Sequence, residues 1–182
     1  MIESEQYDPG PARGAQVQKE GDKWTLILVR ELRHSPEKVW QALTDPAHLR
    51  EWAPFVSDSR LDAVGTVNLT WVGAPMAMET KVTRADAPKV LEYNDTRWEL
   101  EPVGSGTRLT LWQSIDRRYI SMGAAGWHIS FDVLDRLLSG TPMAPIAGPA
   151  AMKFAGWQRL NTEYAEQFGV KAPSWPANPP KE

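Results

Sequence analysis

Residues 35–52, SPEKVWQALTDPAHLREW, pack two proline-led helix starts and a heavy apolar load into one short connection. Ser35 before Pro36 reads as an N-cap followed by proline at the first helical position, where the missing N–H costs nothing. Asp45 before Pro46 repeats the signal. Val39, Trp40 and Leu43 recur at helical spacing in the first piece, and Leu49 and Trp52 do so in the second, so two short helices each turn an apolar face inward. The segment is a helical corner, and it needs a large apolar partner to pack against.

The flanking sequence supplies that partner. Upstream, Trp24–Arg33 reads as a strand whose middle, LILV, is apolar at both parities, which predicts cover on both faces. Downstream, GTVNLTWV (65–72), AMETKVTRA (77–85), VLEY (90–93), RWELE (97–101) and TRLTLWQSI (107–115) are strand-like. Gly73-Ala74-Pro75, Ala87-Pro88, Asn94-Asp95 and Gly104-Ser105-Gly106 separate them as turns. Links this short join antiparallel neighbours, so the stretch is a meander with one apolar, aromatic-rich face. Two helical stripes follow: Trp127, Phe131, Leu134 and Leu138, then Trp157, Leu160, Tyr164 and Phe168. Between them TPMAPIAGPA (141–150) carries three prolines and breaks the helical pattern.

A chain of 182 residues suits one domain burying roughly 70% of its unfolded surface. Residues 21–169 are expected to form it, with residues 1–20 a flexible leader and 170–182 a proline-rich tail. The formal net charge of −3 gives no field for nucleic acid or anionic membranes. No apolar run reaches the roughly 18 residues of a membrane span. With no cysteine there is no thiolate nucleophile, thiolate metal site or disulfide, and a cytoplasmic location is expected.

Few residues suggest covalent chemistry. His34, His48 and His128 form no recognised catalytic or metal motif; His128 and Asp132 share a helix face, but no third ligand accompanies them. Asp132 with Asp135, and Glu99 with Glu101, read as solvated faces rather than acid–base pairs. Gly104-Ser105-Gly106 is a hairpin turn, and Arg117-Arg118 a solvated junction. No catalytic residue, metal or cofactor is expected. Arg30 stands out because it shares the parity of Leu26, Leu28 and Leu32, where a charge must be paired. An internal salt bridge and an anchor for an acidic ligand are the two readings.

VWQALTDPAHLREW after the first strand, RWELEPVGSGTRLTL in the last hairpin, then AAGWH and GWQRLNTEYAEQFG, together resemble the activator of heat-shock-protein-90 ATPase homologues. That family belongs to the START-like (SRPBCC, birch-pollen-allergen-like) superfamily, and the resemblance covers residues 24–169. It implies an α+β helix-grip fold: a curved antiparallel sheet of six or seven strands closed over a C-terminal helix, with a cavity between. The paired helices then plug one end of the sheet. Residues 141–150 depart from the unbroken C-terminal helix of many relatives and are expected to gate the cavity mouth. The resemblance implies binding of a small hydrophobic molecule such as a lipid, polyketide or aromatic compound. A chaperone-contacting role and a cyclase- or aromatase-like cavity enzyme are the alternatives. The expected lining is Trp71, Met78, Tyr93, Trp98, Leu109 and Leu111 from the sheet, and Trp127, Phe131 and Leu134 from the helix. Trp52 and Phe55 are expected at the rim, with Arg30 and His128 as internal polar groups.

Overall fold

The computed structural model describes residues 7–173. Its strands are β1 (Ala15–Glu20), β2 (Lys23–Leu32), β3 (Phe55–Ser57), β4 (Gly65–Trp71), β5 (Met78–Asp86), β6 (Val90–Tyr93), β7 (Thr96–Val103) and β8 (Gly106–Ser114). The helices are α1 (Pro36–Thr44), α2 (Pro46–Trp52), α3 (Ile120–Leu138), α4 (Gly148–Met152) and α5 (Ala155–Phe168). The eight strands form one curved, unclosed antiparallel sheet in the order β1-β2-β8-β7-β6-β5-β4-β3. From β3 to β8 every neighbour is consecutive, as short turns require. The fold is the α+β helix grip, with two strands more than the lower sequence estimate.

The corner forms for the reasons its sequence gives. The Ser35 side chain accepts from the Lys38 amide at 3.3 Å, and Asp45 accepts from the Ala47 amide at 2.9 Å. Asp45 thus ends α1 and starts α2. Val39, Trp40, Leu43, Leu49 and Trp52 are all buried, and the Trp52 indole donates to the Ala42 carbonyl at 2.8 Å. Trp52 meets Trp98 of β7 edge to face, so the corner plugs the sheet's concave side.

Two expectations change. The LILV stretch is not covered on both faces: Leu26 and Leu28 are buried under α3, while Val29 is 36% exposed on the outer face. An antiparallel sheet needs only one buried face. Residues 7–20, expected as part of a loose leader, are packed. Tyr7 is buried, and β1 lies along β2 with Ala15 opposite Leu28. The rest of the leader, residues 1–6, and residues 174–182 of the tail lie outside the described residues.

Candidate functional site

The concave face is filled by side chains over most of its area. Trp98 lies at the centre, 5.3 Å between ring centroids from Trp127 and 6.0 Å from Phe131. Tyr93 stacks on Trp98, and Phe55 joins Tyr93 to Trp71. Leu109, Leu111 and Leu134 are fully buried among these rings. Of the expected lining, Trp52, Phe55, Tyr93, Trp98, Leu109, Leu111, Phe131 and Leu134 are therefore packed core. Met78 is 49% exposed. It shares a face with buried Thr80 and Val82 but stands at the first residue of β5, where no helix covers the sheet.

An opening persists at one end. A pocket of about 200 Å³ lies between the β4 and β8 ends and α3, under the segment leading into α4. Trp71, Gln113 and Ile115 form its sheet side, and Gly123, Gly126, Trp127 and Ser130 its helix side. Ile146, Ala147, Gly148 and Ala151 close it. The glycines matter: a Cβ placed on Gly126 meets no atom within 4 Å, so helix α3 leaves open space there. Among the described residues no charged side chain lines this pocket. A larger recess, about 680 Å³, is lined by Lys19, Trp24, Arg117, Arg118 and residues 169–173, outside the layer between sheet and α3 and with three cationic side chains on its walls.

The closing segment sits tightly. Gly148 has φ 63°, and a Cβ there would lie 2.6 Å from the Val72 carbonyl oxygen; Gly73, φ 86°, approaches the Pro149 ring equally closely. Backbone contact of this kind requires glycine on both sides. Met143 and Ile146 are buried beneath the segment, anchoring it.

Arg30 and His128 do not reach this pocket. Arg30 pairs with Asp132 through a short charge-assisted hydrogen bond and approaches the His128 carbonyl at 3.4 Å. The anchor role for Arg30 thus gives way to the internal salt bridge, because its guanidinium faces a carboxylate one helix turn beyond His128. The other Asp132 oxygen accepts from the Tyr7 hydroxyl, and burial, then the Asp132 charge, raises the Tyr7 pKa above that of free tyrosine. His128 is fully buried. Its Nε2 lies 2.7 Å from the Pro9 carbonyl, which can only accept, so Nε2 carries the proton and Nδ1 accepts from the Tyr164 hydroxyl at 2.7 Å. That hydroxyl also lies 2.9 Å from the Arg13 carbonyl, leaving one proton between two acceptors. Burial pushes the His128 pKa below that of free histidine; the bond to Pro9 and the Asp132 charge oppose the shift, and Arg30 and Arg13 reinforce it.

This polar knot ties residues 7–13 to α3 and α5. Sequence reasoning missed Tyr7, Pro9, Asp132 and Tyr164 as its members. A lone tyrosine in an otherwise polar leader was the one visible signal. Among the described residues no group of three or more His, Asp or Glu could hold a metal ion, and no helix is long and apolar enough to cross a membrane.

The family model for polyketide cyclase/dehydrase and lipid transport matches residues 24–164. The chain belongs to that family. Within the START-like superfamily it is this family, rather than the activator homologues, that the match supports. No curated protein matches the chain. Among solved structures, a conserved protein of unknown function from Enterococcus faecalis is 17% identical, with a TM-score of 0.63 over 84% of this chain and 89% of that one. The solution structure of CalU16 from Micromonospora echinospora is 21% identical, with a TM-score of 0.63 over 85% and 90%. A protein from Mesorhizobium loti is 24% identical, with a TM-score of 0.57 over 65% and 99%. At these identities the likeness to solved structures shows the fold alone.

Proposed function

We propose that the protein binds a small hydrophobic molecule in the pocket beside Trp71 and Trp127, under Ile146–Ala151. The observation that carries this reading is a mostly apolar opening beside a largely filled core, without charge among the described residues that line it and with open space where Gly126 lacks a side chain. Pockets of this kind hold apolar ligands and use a few polar groups for orientation. Its size sets the scale of the occupant. An apolar cavity of roughly 150 Å³ accepts benzene, so about 200 Å³ accommodates a ring with one short substituent within its walls.

Gly126→Leu tests the reading. The new side chain enters open space, and leaving glycine favours the helix by about 1 kcal/mol, so the variant should fold at least as well as wild type. Native mass spectrometry of freshly purified protein and thermal shift with toluene should show a ligand on wild type and none on the variant. Unaltered toluene binding by the variant would place the ligand elsewhere.

A further inference from the structure

We infer that this pocket selects neutral aromatic molecules bearing one hydrogen-bonding oxygen, a phenol or aryl ketone, through Gln113 and Ser130. The inference rests on the ligand pocket proposed above and specifies what enters it. Trp127 Nε1–H can only donate, and it does so to Gln113 Oε1 at 3.0 Å. That bond fixes which end of the Gln113 amide is oxygen. The amide nitrogen at the other end has no protein acceptor among the described residues, although Gln113 lines the pocket. Ser130 stands on the helical wall, seven residues along α3 from Gly123 and next to the open space over Gly126. It is 3% exposed, and its hydroxyl has no hydrogen-bond partner among the described residues.

Both groups open onto the pocket rather than being sealed in the core, so a ligand that displaces solvent there leaves them without a partner unless it brings an oxygen of its own. The amide N–H donates and the serine hydroxyl either donates or accepts. A carbonyl oxygen can accept from either, and a phenolic hydroxyl can accept from the amide while donating to the serine. A carboxylate finds no cation on these walls, because Arg30 is held by Asp132 on another side of α3. Desolvating its charge without a partner excludes it.

The test measures dissociation constants for toluene, p-cresol, acetophenone and p-toluate by calorimetry. On wild type, p-cresol and acetophenone should bind about threefold to tenfold more tightly than toluene, in line with one net hydrogen bond, and p-toluate should not bind measurably. Ser130→Ala should weaken p-cresol binding toward that of toluene and leave toluene itself unchanged; an unchanged p-cresol affinity would overturn the role of Ser130. Gln113→Glu keeps an acceptor for Trp127 but removes the donor, so it should lower acetophenone affinity selectively. Equal binding of toluene, p-cresol and acetophenone to wild type would overturn the selectivity and leave the pocket standing. Binding of p-toluate at the strength of p-cresol would also overturn it. If none of the probes binds, the pocket itself fails and the selectivity with it.

Discussion

His128 shows what a single buried residue contributes. The folded protein holds it neutral, whereas the unfolded chain takes up a proton near pH 6.5. Its folded pKa is lowered, so below about pH 6.5 the unfolded state binds the proton that the folded state refuses, and stability falls as the pH falls. Melting temperature should therefore drop between pH 7 and pH 5, where carboxylates remain mostly ionised. His128→Gln, which keeps a donor and an acceptor without a titrating ring, should flatten that drop. Arg30 obeys a related rule. Arg30→Met would leave the Asp132 carboxylate with the Tyr7 hydroxyl and the more distant Arg13, so it should cost about 3 kcal/mol in denaturant unfolding while leaving toluene affinity unchanged. That Arg30 faces inward was legible from its parity with Leu26 and Leu28. Its partner was not: Asp132 is 102 residues away, and the rotation of α3 that aims it at β2 is set by packing, so Asp132 read as solvated when it is only 15% exposed.

At the scale of elements, the meander and the helical corner were legible because turn chemistry and alternation are local. Asn94 and Asp95 take φ of 50° and 57°, the tight hairpin geometry their residue types favour. Strand β1 was not legible. AQVQKE is an edge strand with one partner, and an edge needs little apolar content. The segment 141–150 was legible as a helix break, and the structure shows where the break leads: its end lies over the pocket with Gly148 against Val72. Its role as a gate is a proposal with two measurements. Amide exchange across residues 141–150 should be faster than in α3 and α5, and should slow with bound p-cresol. Gly148→Ala, strained by positive φ and by the 2.6 Å approach to Val72, should speed that exchange and raise the ligand off-rate while leaving α3 protected.

For the molecule as a whole, the distribution of tryptophans decides how much of the helix-grip interior stays open. The sequence shows large aromatics on inward faces, but whether such rings line a space or fill it depends on how they interlock, which no spacing reveals. Here Trp52, Trp98, Trp127 and Phe131 interlock edge to face, and the end nearest α4 remains open. Phe131→Ala should then cost the 3–5 kcal/mol of a true core deletion in denaturant unfolding, more than a pocket-wall residue would. The knot around His128 carries a consequence for biosynthesis. Pro9 and Arg13 find their partners in His128, Asp132 and Tyr164, far along the chain, and β2 waits for β8 to cover its second edge. A chain emerging from the ribosome can form the β1–β2 hairpin early, yet that hairpin keeps Leu26 and Leu28 bare until the last helices appear. Contacts so distant along the chain slow folding. Nascent chains halted before α5 should accordingly remain protease-sensitive at their amino ends, and the first residues synthesised become among the last to settle.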